Sequence, residues 1–186
     1  MNIYLDTEFT GLHRNAQLIS IGMIDEQGHT FYAEFDDYDD ILITSWVVDN
    51  VISNLDFKDR KPFIRTFNDG KDVRVKGSKD YIKGSMITWL NRYTDVQIVS
   101  DVSHYDFVLF LDIFGTAFDL PKNIAPCCHD INQDIARYYK ITEKAAFDMS
   151  RETMVPQQSH QDKKHNSLYD AIIIKYIYEF LTKERS

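Results

Sequence analysis

Cysteine is scarce in this sequence, and its scarcity limits both the compartment and the chemistry of the protein. The chain of 186 residues has two cysteines, Cys127 and Cys128, which are neighbours. Two adjacent cysteines do not make the disulfide framework of a small secreted protein, which indicates a reducing compartment. A zinc site is also disfavoured, because no further thiolate accompanies the pair.

Long apolar stretches are missing as well. No run of about 18 apolar residues occurs, so no membrane-spanning helix is predicted. A basic N-terminal region followed by an apolar stretch, which a secretory signal needs, is also absent. We therefore expect a cytoplasmic protein that does not enter a membrane. No internal repeat is visible, and 186 residues with 44% apolar side chains suit one domain over residues 1–186.

Charge is abundant but unevenly spread along the chain. The formal net charge is −8, which by itself argues against a nucleic-acid partner. Residues 1–57 hold eleven acids and one base, whereas residues 58–83 hold nine bases and four acids. A basic strip on an acidic body can still steer a phosphate chain, although solvated surface lysines would give the same pattern.

The order of predicted elements indicates a mixed α/β fold. An apolar run at Ile3–Leu5 begins a first strand, and two further strands joined by short turns, 17–25 and 29–35, complete an antiparallel meander. Residues 56–77, with Pro62, Gly70 and Gly77, are interpreted as an irregular basic excursion, and 150–164 as a polar, mobile stretch. A later buried strand is predicted at 96–100 and helices at 46–55, 78–93, 103–115, 130–141 and 166–181.

Two carboxylates stand at the end of the first strand. Asp6 and Glu8 are two residues apart, so a strand directs both side chains to the same face. Like charges in that arrangement repel each other unless a cation lies between them. For the pair alone a solvated strand end is the favoured explanation, and only further acidic groups elsewhere in the chain reverse it.

Further ionisable residues occur at two predicted helix starts. Asp106 lies in the first turn of an apolar helix that ends at Gly115, and its bland explanation is favourable interaction with the helix dipole. His165 and Asp170 open the last helix, whose apolar face includes Leu168 and Ile172. His165 alone would be taken for a surface histidine, but with Asp170 and the N-terminal pair it becomes a candidate catalytic residue.

Together these residues resemble the DEDDh superfamily of 3′-to-5′ exonucleases. Leu5-Asp6-Thr7-Glu8-Phe9-Thr10-Gly11-Leu12 is similar to the first motif, Tyr105-Asp106-Phe107 to the end of the second, and His165 with Asp170 to the third. Many members carry His-Asn shortly before the second-motif aspartate, whereas this chain has Asp101-Val102. The pattern is closest to small single-domain bacterial exoribonucleases, which implies a ribonuclease H-like mixed sheet with parallel strands beside the meander.

The residues of the three motifs predict two-metal chemistry. Four carboxylates, from Asp6, Glu8, Asp106 and Asp170, would balance two divalent ions. Hard oxygen ligands favour Mg²⁺, with Mn²⁺ able to substitute, over zinc. Such a pair of ions clamps a phosphate and lowers the pKa of an attacking water. His165 is predicted to be the general base, since an imidazole near neutrality can accept the proton of that water.

The resemblance also implies a substrate. In the family the residues after the first aspartate hold the terminal nucleotide, so the candidate substrate-binding residues are Thr7, Phe9, Thr10 and Leu12. Phe9 and Leu12 could press on a base or belong to the core. The predicted activity is hydrolysis of single-stranded RNA from its 3′ end to nucleoside 5′-monophosphates. The same reaction on DNA and a catalytically silent nucleic-acid-binding module are alternatives, and a homodimer would be in keeping with the family.

Overall fold

One twisted sheet of seven strands runs through the computed structural model, which describes residues 1–57, 61–155 and 163–183. The spatial order of the strands is β4-β5-β3-β2-β1-β6-β7. Their bounds are β1 Asn2–Phe9, β2 Leu18–Asp25, β3 Thr30–Phe35, β4 Phe63–Phe67, β5 Asp72–Gly77, β6 Val96–Ser100 and β7 Ile124–Asp130.

The first three strands form the predicted antiparallel meander, and the strands on either side of it are parallel to their neighbours. Strand β1 pairs antiparallel with β2 and parallel with β6, and β6 pairs parallel with β7. On the other side β5 lies parallel to β3. The predicted α/β fold, with an antiparallel meander and parallel strands in one mixed sheet, is confirmed.

Helices cover both faces of this sheet, because the side chains of its central strands are apolar on both sides. On one face Ile3 and Leu5 of β1 pack with residues of α2 and α3, and on the other Tyr4 packs with residues of α4 and α7. The helices are α1 Ser45–Asn50, α2 Lys79–Leu90, α3 Ser103–Phe114, α4 Ile131–Tyr139, α5 Glu143–Phe147, α6 Arg151–Met154 and α7 Ser167–Lys183.

The prediction of an irregular excursion over residues 56–77 is wrong. Strands β4 and β5 form an antiparallel hairpin there, and its turn uses left-handed conformations at Asn68, Asp69 and Gly70. Burial alternates along β5, where Val73 and Val75 face the core. The basic residues between them concealed this alternation, but Lys76 is held inside the protein by an ion pair with the buried carboxylate of Glu34, 3.2 Å away.

The structure also changes several boundaries. The helix predicted over 46–55 ends at Asn50 and is followed by a short 3-10 turn, Ile52–Asn54. Strand β7 was not predicted, because its sequence Ile-Ala-Pro-Cys-Cys-His-Asp contains a proline and few β-branched residues. It forms the edge of the sheet next to β6, a position at which proline is tolerated.

Parts of two predicted segments fall outside the described residues. These are Lys58 and Arg60 of the basic segment and residues 156–162 of the polar stretch 150–164. In the described part of that polar stretch, Arg151–Met154 form helix α6. None of the helices within 1–57, 61–155 and 163–183 has the length and apolar content needed to cross a lipid bilayer.

Candidate active site and metal centre

The ends of β1 and β2 determine where the last helix begins. Asp6 pairs with Gly22 and Glu8 pairs with Ser20 in the β1–β2 register. A Cβ atom added at Gly22 would lie 2.3 Å from backbone atoms of Leu168, so only glycine lets α7 approach the sheet this closely. Ser20 and Ser167 fix the contact through a buried hydroxyl pair with 2.9 Å between the oxygens. The start of α7 therefore lies over the two N-terminal carboxylates.

At that helix start the backbone joins two of the predicted site residues. The amide of His165 donates a hydrogen bond to Asp170 Oδ2 at 3.0 Å. The backbone at His165 is unusual, because its φ of 63° is left-handed. The His165 ring then lies with Nδ1 3.8 Å from Glu8 Oε1 and meets the indole of Trp46 edge-to-face, with 5.3 Å between the ring centroids.

The third element is the first turn of α3, which carries Asp106. This carboxylate is buried and both of its oxygens accept hydrogen bonds. Oδ1 accepts from the Thr7 hydroxyl at 2.7 Å, and Oδ2 accepts from the Ser100 hydroxyl. Donors from β1 and β6 thus fix the orientation of Asp106 on α3.

Together these elements bring the acidic residues into two groups at one cleft of about 370 Å³. Ligand atoms of Glu8, His165 and Asp170 lie within 4.8 Å of one another, and so do oxygens of Asp6, Asp101 and Asp106. All five residues predicted as catalytic from the sequence line this cleft. Asp6 and Glu8, which share a strand face, belong to different groups.

One atom in the cleft has no hydrogen-bond partner. Asp6 Oδ2 is inaccessible to solvent, and it is the one buried side-chain oxygen or nitrogen found unpartnered in residues 1–57, 61–155 and 163–183. A buried carboxylate oxygen without a partner carries a large desolvation cost. A bound cation would remove that cost, and the all-carboxylate surroundings are those a hard divalent ion prefers.

The crowding of carboxylates changes their proton affinities. Burial and then the neighbouring negative charges raise the pKa of Asp6 and Glu8 well above its usual range. The same causes raise the pKa of Asp106 to about 7 and that of Asp170 to about 8. His165 shifts in the opposite direction, because burial and then the charge of Lys164 lower the pKa of its imidazole.

Sequence and structure comparisons identify the family. Residues 1–182 match the family described as the 3′-5′ exoribonuclease Rv2179c-like domain. The chain belongs to this family of 3′-5′ exoribonucleases. It is accordingly an enzyme of the 3′-5′ exonuclease class, as its motifs predict. No curated protein shows a significant sequence match to it.

Two solved structures share the fold of this family member. One is the nuclease domain of 3′hExo, a DEDDh family member, bound to rAMP: the TM-score is 0.65 at 16% identity, with 98% of this chain and 92% of that chain covered. The other is a 3′-exonuclease described as recognising the 3′ end of a histone mRNA stem-loop: the TM-score is 0.59 at 11% identity, with 98% and 81% covered. At these identities the likeness establishes the fold alone.

The predicted substrate-binding residues occupy different environments in this exonuclease. Thr7 is buried and its hydroxyl is bonded to Asp106, while Thr10 is buried and accepts a hydrogen bond from the Gln17 amide at 3.1 Å. Phe9 stacks on Tyr105 with 5.4 Å between the ring centroids. Leu12 is 75% exposed at the cleft. Contact with a nucleotide stays a prediction for all four.

Asp101 is the site residue that sequence reasoning missed. It stands where many DEDDh exonucleases carry the histidine of a His-Asn pair, and from the sequence this departure indicated only which branch the chain resembles. The structure places its carboxylate beside Asp6 and Asp106 and 2.8 Å from the Nε of Arg151. The available signal was the aspartate at a position where the motif has a histidine. Its ion-pair partner, Arg151, is fifty residues away in sequence, so no local pattern connects the two residues.

The raised carboxylate pKa values predict that metal binding and stability depend on pH. Folded-state pKa values of about 7 and 8 exceed the unfolded value of 3.8, so the folded protein binds more protons between these limits. The free energy of unfolding of the metal-free protein should therefore fall as the pH rises from about 4 to about 8. At pH 8, Mg²⁺ at about 100 times its Kd should raise Tm by about 5–10 °C.

This stabilisation can be measured by thermal unfolding with EDTA or with Mg²⁺ at pH 5 and at pH 8. The rise in Tm should be much larger at pH 8, where fewer bound protons compete with the ion than at pH 5. Equal rises at the two pH values would contradict the assignment of these buried carboxylates as the ion-binding groups.

Proposed function

We propose that this chain, as one catalytic domain, is a divalent-metal-dependent exoribonuclease that removes nucleoside 5′-monophosphates from the 3′ end of single-stranded RNA. The observation that carries the proposal is the convergence of two clusters of acidic residues on one cleft. The unpartnered Asp6 Oδ2 lies in one of these clusters. A silent binding module would have no need to maintain so costly a cluster of buried acids.

The donor set of the cleft suits two Mg²⁺ ions, with Mn²⁺ as a substitute. Asp6, Glu8, Asp106 and Asp170 provide carboxylate oxygens, and no thiolate belongs to either group. Bound there, two divalent ions would activate an attacking water and neutralise charge that develops on the phosphate and on the leaving oxygen. Thr7 and Ser100 would keep Asp106 in the orientation that holds its ion.

His165 is the proposed general base. Its lowered pKa favours the neutral imidazole near pH 7, the form that can accept a proton from the attacking water. The hydrogen bond that the His165 backbone N–H donates to Asp170 and the ring contact with Trp46 hold the imidazole at the cleft. As the new P–O bond to water forms, the bond to the 3′ oxygen of the penultimate nucleotide breaks, and that oxygen leaves with a proton as a 3′-hydroxyl.

The RNA preference is supported by the family description and by the two structural relatives, of which one is bound to rAMP and the other is described as recognising the 3′ end of a histone mRNA stem-loop. Exposed Leu12 is the proposed contact to the terminal base, because an apolar side chain at the mouth of the cleft can pack on the face of a base. A homodimer is a further part of the proposal and is tested by light scattering of the purified protein.

The deciding experiment is a product ladder from 5′-end-labelled single-stranded RNA and DNA of the same sequence. With Mg²⁺ the RNA should shorten one nucleotide at a time from its 3′ end, with nucleoside 5′-monophosphates as the second product, and chelation should stop the reaction. Faster shortening of DNA would favour the DNA-exonuclease alternative. Absence of nucleotide release from either polymer with both Mg²⁺ and Mn²⁺ would favour the silent binding module.

A further inference from the structure

Asp101 is a fifth acidic residue at the proposed metal centre, in addition to the four carboxylates that the DEDDh motifs supply. It follows β6 directly, and one oxygen of its carboxylate lies within 4.8 Å of oxygens of both Asp6 and Asp106. A carboxylate in this position attracts any cation that Asp6 and Asp106 hold.

Arg151 fixes the orientation of the Asp101 carboxylate. Its Nε donates to Asp101 Oδ2 at 2.8 Å, and both side chains are 14% exposed. The rest of the guanidinium donates to the carbonyls of Ala146 and Met149 at 2.9 and 3.0 Å and to the Asn132 side chain at 2.6 Å. Because its donors are used in this way, Arg151 holds one orientation and cannot follow a moving partner.

This arrangement leaves the second oxygen of Asp101 uncommitted. Oδ1 has no hydrogen-bond partner in the described part of the chain, while the Asn132 amide secures the backbone of the same residue by donating to the Asp101 carbonyl at 2.6 Å. With Asp101 included, five carboxylates would face two divalent ions, and the guanidinium of Arg151 offsets the one negative charge in excess. Asp101 and Arg151 together can therefore add a carboxylate ligand to the site without changing its net charge.

We propose that Asp101 supplies a fifth carboxylate to the ion that Asp6 and Asp106 hold, and that Arg151 is the positioning residue that orients it. The inference rests on the proposed function, because it presupposes that the cleft binds divalent ions. It differs from a purely structural explanation, in which the Asp101–Arg151 ion pair only ties α6 to the end of β6 and the charge of Asp101 has no effect on ion affinity.

Titration of substrate-free protein with Mn²⁺, followed by calorimetry, separates the two explanations. Asp101→Asn keeps the shape of the side chain and an oxygen that can accept from Arg151, but it removes the charge. We expect it to weaken Mn²⁺ binding about 10- to 100-fold, the range typical for groups that support metal ligands. Asp101→Glu restores the charge and should recover most of the affinity. Asp112→Asn is the matched control, because Asp112 forms an exposed ion pair with Lys79 and does not line the cleft. The Mn²⁺ affinity of this variant should equal that of the wild type.

Each result decides the question. Mn²⁺ affinity of Asp101→Asn within about twofold of the wild type would overturn the inference, and so would equal weakening by Asn and Glu. Failure of the proposed function looks different, because the wild-type protein itself would then bind no Mn²⁺. Thermal unfolding of each variant with EDTA verifies that the compared proteins are folded.

Discussion

Asp6→Asn is expected to abolish turnover and Mn²⁺ binding together while making the metal-free protein more stable at pH 8. The amide keeps the size of the side chain but removes a negative charge that burial and the charges of Asp106 and Asp170 disfavour. Ion binding at a catalytic centre contributes several kcal/mol to the stabilisation of the transition state, so the loss of activity should be about 10³-fold or greater. The measurements are RNA turnover, Mn²⁺ calorimetry and Tm with EDTA.

A loss of Mn²⁺ binding that accompanies a gain in stability distinguishes a functional residue from a structural one. Asp25 provides the comparison, because it too is a buried aspartate in the meander, but its carboxylate is fully bonded to His29 and to the Tyr93 hydroxyl. Asp25→Asn should lower Tm and leave Mn²⁺ affinity unchanged, since Asp25 is absent from the cleft. A fall in Tm for Asp6→Asn, with Mn²⁺ affinity retained, would mean that Asp6 serves the fold and holds no ion.

The contrast between Asp6 and Asp101 shows how far a sequence can specify such a site. Alternation along a strand is enough to predict that Asp6 and Glu8 share a face, and the order of the motifs relates both to Asp106, His165 and Asp170. These predictions depend on local periodicity and on a resemblance that spans the chain. The grouping of the acids was less accessible, because it depends on the close approach of α7 to Gly22, a contact between backbones that leaves no trace in local patterns.

The errors in the fold have a similar origin. Strand β5 was missed because Pro62, Gly70, Gly77 and the many bases of 56–77 indicated an irregular segment. Two of those bases nevertheless act inside the protein: Lys76 pairs with Glu34, and Arg74 donates to the Thr30 hydroxyl at 3.0 Å. Two other bases of the same strip are also engaged, Lys79 by Asp112 and Lys83 by the Phe114 carbonyl. Tertiary partners of this kind decide whether a basic residue attracts a polymer or stabilises a strand, and a single sequence does not contain them.

His165→Ala is expected to lower turnover about 10²- to 10⁴-fold, the usual contribution of a general base, with Mn²⁺ affinity within about threefold of the wild type. The Mn²⁺ measurement is needed because His165 is close enough to Glu8 and Asp170 to act as a metal ligand instead of a general base. His165→Asn should be examined beside it, since asparagine tolerates the left-handed backbone at this position better than alanine does. Both variants remove the imidazole and should lose activity alike.

His104 supplies the control, since it is an exposed histidine near Asp106 whose ring contacts only Tyr105 among the aromatic residues described. His104→Ala should leave both turnover and Mn²⁺ affinity unchanged. If Mn²⁺ affinity falls more than tenfold in both His165 variants, the imidazole is a ligand and the proton must be accepted by another group. Loss of turnover without loss of ion binding leaves proton acceptance as the role of His165, because the carboxylates then still hold their ions and the one group removed is the base.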